Sequence, residues 1–335
     1  MNKLKSSEDW QSKARNFVKE YILPNANKYS LDGKIPPDFL KCLTENRFLG
    51  MLISRNYNGI GLNYITYGLI TEEFGYGCSS IRSLLTVHDM VSLAIETFGN
   101  HKQKIEWLPR LAEGSIIAAF ALTEPRLGSS IDKITTYIKQ HDQALFLYGK
   151  KVWISYGQIA DLLLVFAKFN NEPVAILLPR NSKNLRIKPI QNSLGMSASM
   201  LAEIHMDGVE IDRSQILGPE GAGLRFIANT CLILGRYSVA YGSCGIIRAC
   251  MEACKKRVLD PRPDGSLLIN HQIIAGMMTD IVAAHKVTSL LCKNAGMKLQ
   301  SNFYAALKDI MIAKYLGAKN AYETASNALQ IYGAD

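Results

Sequence analysis

Apolar positions recur at three- and four-residue intervals through residues 6–117 and again through 218–335, with short alternating runs between them. That change of period predicts a helical segment, a β-rich segment and a second helical segment. Ser6 and Ser7 can cap a first helix whose early acids, Glu8 and Asp9, complement its dipole. Trp10, Ala14, Phe17, Val18 and Tyr21 share one face of it, and Pro24 marks a break. Pro36-Pro37 opens another helix with Phe39, Leu40 and Leu43 inward, and helical patterning resumes over Ile65–Phe74 and Leu84–Phe98. Strand-like runs follow at 144–148, 152–155, 162–168, 174–178, 185–190 and 203–206. Turn residues separate them, notably His141-Asp142, Asn170-Asn171 and Pro179-Arg180-Asn181. This spacing predicts an antiparallel sheet or small barrel rather than parallel βαβ units. Three long helices are then expected, over 224–258, 271–299 and 304–329, with a break at Pro261-Arg262-Pro263-Asp264-Gly265.

The fold class expected is therefore mainly α with a central β-domain. An N-terminal helical domain (1–117) precedes an antiparallel, barrel-like middle domain (118–217) and a C-terminal helix bundle (218–335). A bundle of three helices leaves an apolar face uncovered, so a truncated bundle is the expectation.

Composition adds limits. The chain has 335 residues, of which 48% are hydrophobic and 20% charged, as in soluble globular proteins. No secretory signal and no uninterrupted apolar run of membrane-spanning length is seen. Seven cysteines without a Cys-x-x-Cys pair point to reduced thiols and a cytoplasmic setting. Cys250 and Cys254 share a helical face but have no further ligand at metal-binding spacing, so no metal site is expected. The net charge of +9 comes from dispersed Lys and Arg. It reads first as a solvated basic surface, next as a surface for an acidic carrier protein or a phosphate-bearing substrate, and third as one for DNA.

The chemistry is narrowed by elimination. No His-Glu-x-x-His or Gly-x-Ser-x-Gly motif occurs, and the six histidines are dispersed, each expected at the surface or at a cap. Cofactor chemistry remains. One stretch, Phe120 to Gly157, has the character of a polar platform. It opens with Phe120-Ala121-Leu122-Thr123-Glu124-Pro125 and Gly128-Ser129, and closes with Gly149-Lys150-Lys151-Val152-Trp153-Ile154-Ser155. Supporting pieces are Tyr57-Asn58-Gly59-Ile60-Gly61, Trp107-Leu108-Pro109, Leu194-Gly195-Met196, Gly235-Arg236, Gln272 and Gln330-Ile331-Tyr332-Gly333. In this order, and over essentially the whole chain, they resemble the acyl-CoA dehydrogenase family of flavoproteins.

The resemblance implies FAD-dependent α,β-dehydrogenation of an acyl thioester. It implies FAD contacts at Phe120, Leu122, Thr123, Ser129, Trp153 and Ser155, a ligand contact at Ser129, and further FAD contacts at Arg262, Gln272, Gln330 and Gly333. Gln330 and Gly333 match positions that reach FAD in a neighbouring subunit, so a homodimer or homotetramer is implied. Arg236 matches an arginine of the ligand tunnel; a snorkelling surface arginine is the equal alternative. The departures are informative. Leu127-Gly128-Ser129-Ser130 and Arg262-Pro263-Asp264-Gly265 differ from the family's usual Ala-Gly-Ser-Asp and Arg-x-x-Phe-Gly. The family's catalytic glutamate is expected beyond Asp335, and its alternative position is Gly235 here, so no catalytic residue is assigned. The substrate expected is acyl-CoA or an acyl-loaded acyl carrier protein in a biosynthetic pathway. A catalytically impaired relative, or one binding nucleic acid, is the alternative.

Overall fold

The computed structural model describes residues 6–128 and 130–334. The first helices are α1 (Ser7–Phe17), α2 (Ala26–Asp32), α3 (Pro37–Glu45), α4 (Tyr64–Gly77), α5 (Ser79–Phe98) and α6 (His101–Glu113). The strands are β1 (Ala118–Ala121), β2 (Tyr137–His141), β3 (Ala144–Ile154), β4 (Leu162–Phe169), β5 (Glu172–Pro179), β6 (Leu185–Pro189), β7 (Ala202–Ile211) and β8 (Ile216–Leu217). The last helices are α7 (Asn229–Val258), α8 (Gln272–Ser301) and α9 (Leu307–Tyr332). Packing divides the chain into two units. One holds the residues up to Ala26, Asn63–Arg82 and the chain from Arg236 onward; the other holds Asn27–Leu62 and Ser83–Gly235.

The first unit is helical. Ser6 caps α1, as expected, and the Asp9 carboxylate in turn accepts from the Ser6 N–H, a reciprocal bond beyond the expected dipole role. The helix then widens into a π turn, Val18–Ile22, which shifts the facing of the next residues. Ile22 is buried there, whereas Tyr21, expected inward, is exposed. Helices α4 and α7 approach closely at two glycines: a Cβ on Gly75 would stand 2.5 Å from the Gly242 Cα. Beside that crossing lies a buried charge network. Glu73, 1% exposed at its side chain, accepts from Arg15 at 2.9 Å and Gln11 at 3.0 Å, and is paired by Arg248. Arg248 also reaches Glu72 at 3.1 Å. Burial opposes ionisation of Glu73, but the two arginines hold its carboxyl below the usual range.

Helices α8 and α9 pack on each other and leave apolar side chains exposed, among them Val282, Leu290, Met297, Tyr315, Tyr322 and Leu329. By length and composition α8 could cross a membrane, but Asp280, Lys286 and Lys293 interrupt it.

The second unit is built on an eight-stranded sheet of order β6-β7-β3-β2-β4-β5-β8, with β1 beside β4. Most neighbours are antiparallel, as expected, and Asn170 and Asn171 adopt left-handed φ at the β4–β5 turn. The pairing of β1 with β4 is parallel, which alternation along the chain did not predict. The reason is the long segment 122–136, which frees β1 from a hairpin with β2. It is this segment that carries the platform motif. The runs at 144–148 and 152–155 form the single strand β3, and β1, β2 and β8 were not anticipated. The inner faces of the sheet make one core, including Leu147, Leu163, Val165, Ile176, Ile204 and Val209.

The histidine expectation is corrected at His88. It is fully buried on α5, where its Nε2 lies 3.1 Å from the Leu111 carbonyl and its Nδ1 3.4 Å from the Ala118 amide. Burial pulls its pKa down to about 4, only partly offset by the Leu111 bond, so the ring is neutral and ties α6 to the start of β1. The helix expected over 224–258 begins instead with a π turn, Gly223–Ala228, because Gly223 packs directly on β5; a Cβ there would lie 2.6 Å from the Val174 carbonyl carbon.

Removing Glu73 takes from the mostly buried Arg248 one of its two carboxylates and leaves Glu72 as the other, a loss of up to about 3–5 kcal/mol in comparable pairs. Glu73→Leu is therefore expected to lower the urea midpoint sharply, whereas Glu323→Leu, in an exposed pair with Lys319, leaves it nearly unchanged.

Candidate active site

The platform motif folds into one wall of the second unit. Strand β1 delivers Phe120, which packs on Phe166 with ring centroids 5.1 Å apart, and then Leu122 and Thr123. Strand β3 delivers Lys151 to Ser155. The two segments are joined by a backbone bond from the Val152 N–H to the Thr123 carbonyl, at 2.9 Å. Phe120, Leu122, Thr123, Trp153 and Ser155, predicted from separate motifs, are thereby brought onto one wall. Ser129 lies outside the described residues.

Beneath the wall sits a buried ion pair that sequence reasoning passed over. Glu124 and Lys151 are 2% and 0% exposed at their side chains, with Lys151 Nζ 2.8 Å from Glu124 Oε1. Lys151 also donates to the Leu122 carbonyl at 3.1 Å. Every remaining lone-pair direction of the carboxylate is used. Thr136 donates its N–H at 3.0 Å and its hydroxyl at 2.6 Å to Oε1. Thr135 donates its N–H at 2.7 Å and its hydroxyl at 2.6 Å to Oε2. Burial opposes ionisation of Glu124, but these donors hold its pKa at about 2. Burial lowers Lys151 to about 8 despite the carboxylate, so the pair is ionised at neutral pH. Both residues lie inside the quoted motifs, Thr-Glu-Pro and Gly-x-Lys. The available signal was a charge of each sign at positions whose neighbours alternate inward and outward.

The threonine shell around Glu124 also explains Gly149. Its backbone has φ +142°, and a Cβ there would meet the Thr136 Oγ1 at 2.6 Å and its Cα at 2.8 Å. Two residues further along, β3 gains one residue relative to β7 between Lys151 and Ile154. At this bulge Trp153 takes a left-handed backbone, φ +60°, and presents its indole 57% exposed. Tyr156, also left-handed and fully buried, is pinned by its N–H to the Ser199 carbonyl at 2.8 Å. Among the described residues the Thr123 N–H has no hydrogen-bond partner. The wall therefore offers an unused donor, two hydroxyls and an open aromatic face, a set that fits a flat polar ring system.

In the first unit, Arg236 is half-buried on α7. Arg262, Gln272, Gln330 and Gly333 are exposed and gather at the far end of the bundle. There, Arg262 lies 3.3 Å from His271, and Ile331 packs with Cys254, Val258 and Met278. Arg236 stands 18 residues before Cys254 on the same helix, which at the α-helical rise is about 27 Å. One bundle therefore does not bring Arg236 and this group to a single ligand. A third cluster, Glu72, Cys244 and His285, has metal-ligand atoms within 4.8 Å of one another. The Arg248 guanidinium at Glu72 makes it a poor place for a second cation.

Residues 5–115 match the acyl-CoA dehydrogenase N-terminal domain, 119–209 the middle domain and 221–335 the C-terminal domain. The chain belongs to the acyl-CoA dehydrogenase family. Glutaryl-CoA dehydrogenase of Desulfococcus multivorans is 28% identical over 338 residues, spanning 97% of this chain and 85% of that one. The glutaryl-CoA dehydrogenase of Mycobacterium smegmatis, solved in complex with FADH2, superposes with a TM-score of 0.89 at 26% identity, covering 98% of this chain and 84% of that one. FkbI, whose structure is described for biosynthesis of the methoxymalonyl extender unit of a polyketide immunosuppressant, superposes with a TM-score of 0.87 at 25% identity, covering 97% and 88%. Family members are oxidoreductases that act on CH–CH bonds of acyl thioesters with FAD, and this acyl-CoA dehydrogenase is one of them.

Because Thr136 and Gly149 touch without space for a methyl group, Gly149→Ala is expected to cost about 1–3 kcal/mol by overpacking. The same substitution should weaken FAD binding in a fluorescence titration. A variant with unchanged urea midpoint and FAD affinity would contradict the tight packing described.

Proposed function

We propose that the substrate of this acyl-CoA dehydrogenase is an acyl group held on an acidic carrier protein in a biosynthetic pathway. Two observations support this. The net charge of +9 favours encounter with an acidic partner. A structural relative at 25% identity is named for making a polyketide extender unit. The observation that carries the dehydrogenase chemistry is the wall itself, where Thr123 and Trp153 are held side by side by the Val152–Thr123 bond.

In this reading Thr123 and Ser155 orient the flavin through hydrogen bonds, and Trp153 covers part of the ring system and keeps water from it. Phe120 borders the ring edge. Bound FAD supplies the acceptor for hydride from the substrate's β-carbon. Arg236 matches the family's ligand-tunnel arginine and would contact the acyl substrate. Gln272, Gln330, Gly333 and Arg262, at the other end of the bundle, serve a neighbouring subunit's FAD. The exposed apolar stripe of α8 and α9 suits such self-association. Seven free cysteines suit a reducing cytoplasm.

The test is anaerobic reduction of the yellow holoprotein by one acyl group presented on a carrier protein and on CoA. The expected outcome is faster bleaching by the carrier-bound form, with the advantage falling steeply as salt rises, because steering between exposed charges is screened. Equal or faster bleaching by the CoA form at low salt would assign the protein to CoA-linked metabolism instead.

A further inference from the structure

Lys151 is a fully buried cation at a strand position where a leucine or methionine would be easier to accommodate. The ion pair with Glu124 neutralises it, yet the pair as a whole still costs desolvation, and Glu124 already takes four other hydrogen bonds. The second contact of Lys151 is the informative one. Its ammonium donates to the Leu122 carbonyl oxygen at 3.1 Å. That carbonyl and the Thr123 N–H are the two ends of one peptide group, whose amide resonance couples them. A cation on the oxygen draws electron density from the nitrogen and makes the N–H a stronger donor. Among the described residues this N–H has no partner within the chain. The next carbonyl, of Thr123, is fixed by the Val152 N–H at 2.9 Å, so the peptide plane has little freedom to turn.

We propose that Lys151 is a positioning residue that acts through the Leu122–Thr123 peptide group, strengthening the Thr123 N–H as a donor to the flavin and so favouring reduced FAD over oxidised FAD. The electron-richer reduced ring gains more from a strong donor than the oxidised ring does. Glu124 and the two threonines hold the ammonium in place, and Glu124 is the one ionisable group described against it. This rests on the reading that Thr123 faces the flavin.

The experiment uses full-length holoprotein and compares affinities for oxidised and reduced FAD, by fluorescence titration and by anaerobic titration of the midpoint potential. At pH 7, Lys151→Met is expected to lower the relative affinity for reduced FAD by about tenfold, the size of one charge-assisted hydrogen bond lost to an ordinary one. Lys151→Arg keeps a charge at every accessible pH and is expected to stay close to wild type at neutral pH. Wild type should then fall away from the arginine variant above pH 8, where its own ammonium titrates. An unchanged affinity ratio in Lys151→Met with FAD stoichiometrically bound would reduce Lys151 to a packing residue. If Lys151→Met fails to fold, wild type and Lys151→Arg decide, and parallel potentials from pH 6.5 to 9.5 overturn the proposal. Purified wild type that never binds FAD would sink the flavin-wall reading and this inference together.

Discussion

One buried ion pair organises the site. Glu124 and Lys151 meet at 2.8 Å with almost no exposure, and the two threonines of the 122–136 segment close the shell around the carboxylate. Replaced by apolar residues of similar volume, such a pair is often no loss to stability. Its retention here is better explained by geometry. An apolar pair could fill the space, but it would not tell the loop after β1 where to stop relative to β3. The five donors converging on one carboxylate fix the loop, and with it Thr123 and the Leu122 carbonyl.

That fixed floor lets the wall carry strain. A left-handed tryptophan at an added residue in β3 costs about 1–2 kcal/mol, and it persists only where neighbours over-determine it. On one side the Val152 N–H is held by Thr123. On the other, Tyr156 is held by Ser199 and the Gln158 side chain donates to the Leu201 carbonyl at 2.8 Å. Between these anchors the indole stands exposed beside an unused amide donor. The arrangement is preorganised for a ligand rather than for the chain's own stability.

Much of this was legible in the sequence. The helix–β–helix order, the cap at Ser6, the Pro36-Pro37 start and the Asn170-Asn171 turn are local signals, and local chemistry decided them. The motif singles out Phe120, Leu122, Thr123, Trp153 and Ser155, which the fold sets on two adjoining segments. What stayed hidden depended on partners far apart in the chain. Glu124 and Lys151 are separated by 27 residues, and each alone reads as a surface charge. The parallel pairing of β1 with β4 depends on a long loop whose path no periodicity reports. The π turns at 18–22 and 223–228 change facing by one residue without changing composition. His88 reads from the sequence as a surface or capping residue, because its burial between α6 and β1 is a tertiary fact.

The wall is built by the chain itself before any cofactor arrives. Amide hydrogen exchange of the FAD-free protein tests this most directly. The amides of Thr135, Thr136 and Val152, bonded to Glu124 and Thr123, should exchange as slowly as core amides of β4, with little further slowing when FAD is added. Exchange at the rate of exposed loop amides, with protection acquired only on adding FAD, would contradict it.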